Sequence, residues 1–200
     1  MESTKAEILS LGVPVFPIRA DLRLETGIQA LFNKVEELPG QLAVLVNSAA
    51  LMPKVRFEDM SFEEWDALFA LNLRAPWFCA KFAAGLMAQQ GGCIINITDA
   101  GAGRAWNSYP AYSTSKAALD TMTRILASAL APRVRVNAVA PGLIMRAPEI
   151  SEEEWNRLLS RLPLKKSGSP EHVQKAIDFI LDNEYVTGQT IVVDGGYQLT

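Results

Sequence analysis

A short apolar run at residues 93–97, Cys-Ile-Ile-Asn-Ile, constrains the fold of this chain more than any other stretch. It is rich in β-branched residues, which is typical of a strand that is covered on both faces. Such strands occur in parallel sheets that carry helices on either side. We therefore expect an α/β fold.

Strand and helix patterns alternate along the rest of the chain. Apolar runs predict further strands at residues 13–20, 42–46, 133–140 and 190–193. Apolar periodicity, capping residues and Gly or Pro breaks predict helices at residues 2–10, 23–38, 61–88, 109–130, 152–160 and 169–182. Pro76 should bend or interrupt the third of these helices. The alternation implies parallel strands joined by right-handed crossovers, that is, a doubly wound sheet.

Composition excludes several classes of function. A chain of 200 residues suits a single domain, 1–200. The net charge of −3 disfavours binding to nucleic acid or to an anionic membrane. No apolar run is long enough to span a membrane and the first residues lack a secretory apolar segment, so we expect a cytoplasmic protein. His172 is the only histidine, which excludes a histidine-based triad, and no metal site is predicted.

Tyr112 and Lys116 lie four residues apart in the predicted helix 109–130, and therefore on the same side of it. A phenol with a pKa of about 10 is a poor acid or base at neutral pH, but a fixed ammonium one turn away favours the phenolate and lowers that pKa. The pair therefore predicts proton-transfer chemistry, although a tyrosine and a lysine can also share a helix face without a function.

Five motifs, in order along the chain, resemble those of the short-chain dehydrogenase/reductase family. They are Val46-Asn47-Ser48-Ala49-Ala50, Leu71-Asn72-Leu73-Arg74, Tyr112-Ser-Thr-Ser-Lys116, Asn137-Ala-Val-Ala-Pro141-Gly142 and Val193-Asp194-Gly195-Gly196. The resemblance spans most of the chain and implies a Rossmann-like fold and an oxidoreductase that uses NADP, with NAD not excluded. It also implies catalytic roles for Tyr112 and Lys116. Asn72 would help to hold a water beside the lysine, or would only make a structural hydrogen bond.

The resemblance also implies a set of cofactor-binding positions. They are Asp21, Leu22, Asn47, Ala49, Tyr112, Lys116, Pro141, Gly142 and Ile144. Asp21 and Leu22 would lie beside the adenine ring, but Asp21 could instead cap the helix that follows it.

Asp99 stands where most members of the family carry a serine. A serine hydroxyl can donate to a substrate carbonyl, whereas an ionised aspartate only accepts and would repel a developing oxyanion. Asp99 must therefore hold a proton or face a substrate with N–H donors. The pteridine reductase branch has an aspartate here, and the resemblance places Met52 where those enzymes carry an aromatic residue that stacks on the pterin. The alternative is that Asp99 caps the turn after the strand.

A dinucleotide-binding domain needs a glycine-rich turn after its first strand, where backbone amides approach the pyrophosphate. This chain has none, since Gly12, Gly27 and Gly40 are isolated. Against the family pattern the first two strands are absent, so the strand at 13–20 would lack a partner and the strand at 42–46 would expose an edge. We expect a sequence truncated at its N-terminus, or a short form in which these two strands pair with each other.

The leading hypothesis from the sequence is an NAD(P)H-dependent reductase of a pterin-like C=N substrate, with Tyr112 as proton donor and with Asp99, Met52 and Tyr112 contacting the substrate. The alternatives are a reductase of ketones or alcohols, and a non-catalytic remnant that acts through subunit association. The resemblance implies a homodimer or homotetramer that assembles through the helices near 61–88 and 109–130.

Overall fold

The computed structural model describes residues 2–148 and 150–200 and shows an α/β fold built on one parallel sheet. Its four strands, in the order β1-β2-β3-β4, are β1 (Val44–Asn47), β2 (Gly92–Ile97), β3 (Val134–Pro141) and β4 (Thr190–Val193). The strands predicted at 42–46, 93–97, 133–140 and 190–193 are thereby confirmed, with small shifts of their ends.

The helices lie close to their predicted positions. They are α1 (Glu2–Ser10), α2 (Glu25–Glu36), α3 (Phe62–Phe69), α4 (Ala75–Leu86), α5 (Pro110–Leu130), α6 (Glu152–Leu159) and α7 (Pro170–Asp182). A capping box between Ser61 and Glu64 starts α3. Single turns of 3-10 helix occur at Phe57–Asp59 and Tyr197–Leu199. None of the helices among the described residues is both long and apolar enough to cross a bilayer.

The helix predicted over 61–88 is interrupted, as expected from Pro76. A π-helical segment, Ala70–Arg74, separates α3 from α4. Proline lacks the N–H that would donate to the carbonyl four residues earlier, which is that of Asn72. The interruption therefore falls at a residue that the sequence singles out as functional, which is common for π-helical bulges.

Helices cover both faces of the sheet, which explains the apolar character of β2. Ile94 packs in a core cluster with residues of α2, α4 and α5, whereas Ile95 packs with Ala176 and Ile180 of α7. Successive residues of a strand point to opposite faces, so both sets of neighbours are needed to bury this run. The doubly wound arrangement is confirmed.

Residues 13–20 do not form a strand, contrary to the prediction. The segment has no regular structure, and Val13 and Phe16 are 53% and 50% exposed. A strand needs a neighbour for its amide and carbonyl groups, and in the described part of the chain no strand lies beside this segment. The exposed edge predicted for the strand at 42–46 is observed, because β1 is an edge strand with Val46 42% exposed. The alternative pairing of the two segments is not adopted.

Candidate active site

The candidate site lies at the carboxyl end of β2 and the start of α5. Asp99 follows β2 by two residues, and Pro110 occupies the first position of α5, where its missing N–H costs nothing. One turn after Tyr112, the Nζ of Lys116 lies 5.8 Å from the centre of the Tyr112 ring. The structure therefore brings together Tyr112, Lys116 and Asp99, as the sequence predicts.

The carboxylate of Asp99 has two hydrogen-bond donors. Tyr112 Oη donates to Asp99 Oδ2 at 2.8 Å, and the Gly101 amide donates to Oδ1 at 2.6 Å. Asp99 thus stabilises the turn after β2, which is the alternative that the sequence left open, and it also contacts the tyrosine. Burial raises the pKa of Asp99, while the bonds from Tyr112 and Gly101 and the charge of Lys116 oppose that rise.

The pKa of Tyr112 is raised, which is opposite to the direction expected from Lys116. Burial is the first cause, because it disfavours the phenolate, and the charge and hydrogen bond of Asp99 act in the same direction. The sequence argument considered only the ammonium one turn away. The structure adds a carboxylate in direct contact, which holds Tyr112 as a neutral phenol.

Lys116 is 3% exposed, and burial lowers its pKa to about 8, although Asp99 favours its charged form. Its Nζ donates to the Ile97 carbonyl at 2.8 Å, which is its one hydrogen bond within the described residues. An ammonium carries three donors. Two N–H groups therefore lack a protein acceptor in the described part of the chain, which suits a diol such as the ribose of a nicotinamide nucleotide.

Asn72 is fully buried in the π-helical segment and all its side-chain bonds are to the protein. Its Oδ1 accepts from the Leu51 amide at 2.8 Å, and its Nδ2 donates to the Leu51 carbonyl at 2.9 Å and to Ser115 Oγ at 3.1 Å. The side chain thus fixes the loop after β1 against α5. The sequence did not identify Ser115, although it lies three residues after Tyr112 and next to Lys116.

The two predicted adenine-side residues, Asp21 and Leu22, share one cleft with Ala49. Asp21, Leu22 and Ala49 line a cleft of about 540 Å³ at the edge of the sheet. Asp21 accepts from the Arg23 guanidinium at 2.8 Å, and this contact lowers the pKa of its carboxyl to about 2. Asp21 also accepts from the Arg23 amide at 3.0 Å, so it stabilises the turn before α2 without capping the helix, whose N-cap is Leu24.

The other predicted cofactor residues lie at the ends of β1 and β3. Asn47 Nδ2 donates to Asn96 Oδ1 at 2.9 Å, which ties the ends of β1 and β2 together. After β3, the Gly142 amide donates to the Val193 carbonyl at 2.9 Å. A Cβ at Gly142 would lie 2.7 Å from Asp194 Cα, so only glycine fits there. Pro141 and Ile144 are both partly buried.

Met52, the residue that the sequence places on the substrate, lies in the loop after β1 and is 43% exposed. A small apolar cluster surrounds Tyr112. That cluster contains an aromatic residue that the sequence did not single out, Trp106, whose ring lies 4.6 Å from that of Tyr109. Trp106 lies in the loop between β2 and α5, where no periodic pattern marks one residue above another.

Known proteins share both the sequence pattern and this fold. The family described as enoyl-(acyl carrier protein) reductase matches residues 1–198. The uncharacterized oxidoreductase YohF of Escherichia coli is 34% identical over 99% of this chain and 81% of its own length. The 3-oxoacyl-[acyl-carrier-protein] reductase of Synechocystis is 35% identical over 98% of this chain and 81% of its own length.

A solved structure agrees in fold over the whole chain. FolM alternative dihydrofolate reductase 1 of Brucella canis, crystallised with NADP, superposes with a TM-score of 0.93 and 30% identity, covering 100% of this chain and 79% of that protein. The site at the end of β2 and the start of α5 thus lies in a fold shared with named reductases. Sequence, fold and relatives agree that this chain belongs to the short-chain dehydrogenase/reductase family of oxidoreductases.

Proposed function

We propose that this protein is an NADP-dependent reductase that reduces a ring C=N bond in a pterin-like substrate. The observation that carries the proposal is the 2.8 Å hydrogen bond from Tyr112 Oη to the carboxylate of Asp99. Asp99 is therefore a hydrogen-bond acceptor at the position where the reduction of a ketone would need a hydroxyl donor. The structural similarity to a dihydrofolate reductase crystallised with NADP supports both the substrate class and the cofactor.

Asp99 favours substrates that carry N–H groups. A ketone offers lone pairs alone, and an ionised carboxylate beside it would oppose the negative charge that develops on oxygen during reduction. The amino and ring N–H groups of a pterin can instead donate to Asp99. Because those donors compete with Tyr112 for the same carboxylate, substrate binding would free Tyr112 Oη to donate elsewhere.

Tyr112 and Lys116 account for the proton in this reaction. When bound, the nicotinamide cofactor would supply a hydride to the carbon of the C=N bond. Tyr112 Oη would give its proton to the ring nitrogen, so that one C–H and one N–H bond form. The Lys116 ammonium, 5.8 Å from the centre of the tyrosine ring, would stabilise the resulting phenolate. The carbonyl of Asn72 lacks its α-helical donor because residue 76 is proline, which supports a role for this residue in holding a water for reprotonation.

The described residues fit the two ends of the cofactor better than its middle. Lys116 would bind the nicotinamide ribose through its two free N–H groups. The nicotinamide would contact Pro141, Gly142 and Ile144. Asn47 would hold the end of β1 in place. Asp21, Leu22 and Ala49 would line the adenine side. The sequence has no glycine-rich turn to hold the pyrophosphate. We therefore expect weaker cofactor binding than in a domain that has one.

Fluorescence titration of NADPH and then NADH into the purified 200-residue chain tests the cofactor. A dihydropterin assay with the Tyr112→Phe variant then tests the proton donor. We expect saturable NADPH binding by both proteins and turnover by the wild type alone. Absence of binding by a folded chain, or full turnover by Tyr112→Phe, would contradict the proposal.

Reduction of a ketone is the second candidate function. It is favoured by the 35% identity to a 3-oxoacyl-[acyl-carrier-protein] reductase. The Asp99→Ser variant separates the two candidates. If the site is built for a pterin, the variant should lose dihydropterin reduction. If Asp99 only impairs an ordinary carbonyl site, the variant should gain ketone reduction and leave any dihydropterin activity unchanged.

We also propose that the protein forms a homo-oligomer through α3, α4 and α5. These helices border an open groove of about 1200 Å³ on the outer surface of the molecule. Seven large apolar residues line it: Leu24, Phe69, Leu73, Trp77, Phe78, Met122 and Ile125. An apolar surface of this extent is typical of an interface between subunits.

A further inference from the structure

The turn formed by residues 194–200 packs on the loop that carries Asp99. It is rigid by its own bonds, because the Asp194 carboxylate accepts from the Gly196 and Gln198 amides, each at 2.8 Å. Gly195 and Gly196 adopt φ values of 63° and 88°, which glycine alone adopts readily. A side chain held by this turn therefore has a fixed position relative to the sheet.

Four contacts connect this turn to the loop of residues 99–104. The Arg104 guanidinium donates to the Tyr197 carbonyl at 2.9 Å and to Thr200 Oγ1 at 3.3 Å, and it lies 4.6 Å from the centre of the Tyr197 ring. Gln198 Nε2 donates to the Ala100 carbonyl at 3.0 Å. The contacts join residues that are more than 90 positions apart. Nothing in the local sequence of the loop requires them.

The Tyr197 ring lies against the residue that fixes the Asp99 carboxylate. A Cβ at Gly101 would lie 3.3 Å from Tyr197 Cε1 and 3.0 Å from Asp99 Oδ1, so Gly101 is enclosed between the two side chains. The Gly101 amide donates to Asp99 Oδ1, while Oδ2 accepts from Tyr112. The carboxylate can keep this orientation only while Gly101 stays in place.

We propose that Arg104 and Tyr197 are positioning residues, which hold the Gly101 amide against Asp99 and so orient the carboxylate towards Tyr112. The effect of these two residues on catalysis rests on the proposed reductase function. Their effect on the orientation of Asp99 does not. Loss of the contact would let the loop open and Asp99 turn away from the tyrosine. Residues of the turn at 194–200 would thus control the activity of the site without contacting the substrate.

The NMR signal of the Gly101 amide reports directly on its hydrogen bond to Asp99. An amide bonded to a carboxylate shows a shifted proton resonance that changes when the carboxylate titrates. Among the described residues, Tyr112 and Lys116 on α5 act on the titration of Asp99, and Asp120 and Arg124 on the same helix line one cavity with it. Heteronuclear NMR of the wild type, Arg104→Met and Tyr197→Ala would follow this resonance against pH. We expect both variants to lose its pH dependence, and their Gly101 amide to exchange with solvent at least about tenfold faster.

Conservative variants serve as controls. Tyr197→Phe keeps the ring, and Arg104→Lys can still donate to the Tyr197 carbonyl, so both should retain the wild-type signature at least in part. Wild-type behaviour of Gly101 in Arg104→Met and Tyr197→Ala would overturn the proposal. If one of these two variants does not fold, the other still decides the question.

An activity assay separates this proposal from the proposed function. Arg104→Met should lower kcat for dihydropterin roughly tenfold, with KM for NADPH unchanged, because the cofactor residues are not moved. A folded wild type that does not turn over dihydropterin would reject the pterin reductase function, while the NMR comparison would still decide whether Arg104 and Tyr197 orient Asp99. Turnover by the wild type with an unchanged kcat in Arg104→Met would reject the positioning role alone.

Discussion

Asp99 and Tyr112 determine where a proton resides in the resting site. The phenol donates and the carboxylate accepts at 2.8 Å, and burial disfavours a charge on either group. Two negative charges at this distance would repel strongly in a buried site. The pair therefore holds one proton on the tyrosine until a substrate supplies other donors to Asp99.

The Asp99→Asn variant should lower the pKa of Tyr112. The charge of Asp99 disappears, but burial, the first cause of the shift, remains, so the pKa should fall and still stay above about 10. Rapid alkaline jumps monitored by tyrosinate absorbance would measure the change. The Tyr112→Phe variant identifies the signal among the four tyrosines. An unchanged pKa of Tyr112 in Asp99→Asn would mean that the carboxylate does not control the phenol.

Lys116 should make stability depend on pH above neutrality. Its pKa is about 8 in the fold and 10.5 ordinarily, so between these values the unfolded chain binds more protons. The free energy of unfolding contributed by Lys116 therefore rises with pH across this window and is constant below it. At about 1.4 kcal/mol per pH unit the change amounts to at most ~3 kcal/mol.

Urea unfolding of the wild type and Lys116→Met at several pH values would measure this contribution. Between pH 8 and 10.5, the free energy of unfolding of the wild type should rise relative to that of Lys116→Met. Lys175→Met, at an exposed position of α7, is the control and should show no such trend. A parallel pH dependence of the wild type and Lys116→Met would contradict the prediction.

The residues of the site illustrate what sequence can predict at this scale. The proximity of Tyr112 and Lys116 follows from helix geometry, so four residues of spacing suffice to place them together. The direction of the tyrosine pKa depends on burial and on Asp99, which approaches from another element. Spacing along the chain contains no information about that approach beyond the family resemblance.

At the scale of elements, the π-helical segment connects the loop after β1 to α5. Asn72 binds both backbone groups of Leu51 after β1 and the hydroxyl of Ser115 on α5. Ser115 Oγ in turn donates to the Tyr112 carbonyl at 2.7 Å. The start of α5 and the loop after β1 are therefore held through one buried amide.

The Asn72→Ala variant should be strongly destabilised. It removes the hydrogen bonds to the part-buried Leu51 backbone and to the buried Ser115 hydroxyl. A buried polar group without a partner costs about 1–3 kcal/mol. We expect a loss of roughly 3 kcal/mol in the free energy of unfolding, measured with urea. Asn33→Ala on α2, an exposed helical asparagine, is the matched control and should change stability little. A loss in Asn72→Ala no larger than in the control would show that these hydrogen bonds contribute little.

Local signals predicted where the elements begin and break, but not which side chains connect them. The capping box at Ser61 and the proline at 76 depend on neighbouring residues and are visible in the sequence. The strand predicted at 13–20 was wrong because a strand is stable only beside a partner, and that condition is not local. Leu51 and Ser115 could not be identified as the partners of Asn72 for the same reason.

At the scale of the whole molecule, two apolar surfaces could bind a second copy of the chain. One is the free edge of β1, where Val44 and Val46 are 37% and 42% exposed. An open edge of apolar strand residues favours open-ended aggregation. The other is the groove bordered by α3, α4 and α5, where Trp77 and Ile125 are 43% and 52% exposed. Two copies of the chain can pair through this groove about a two-fold axis, and the resulting dimer is a closed assembly that does not grow further.

Charged substitutions should separate the two kinds of association. Ile125→Glu places a carboxylate in the groove and should convert the proposed dimer or tetramer to a monomer in sedimentation velocity. Val46→Lys places an ammonium at the sheet edge and should reduce slow aggregation while leaving the oligomer intact, because lysine blocks strand pairing without touching the helices. Ser128→Glu, which adds one carboxylate at an exposed position of α5 that does not line the groove, is the control for charge alone. An oligomer that survives Ile125→Glu but dissociates with Val46→Lys would mean that subunits pair through the sheet edge, and the helices would then have no part in assembly.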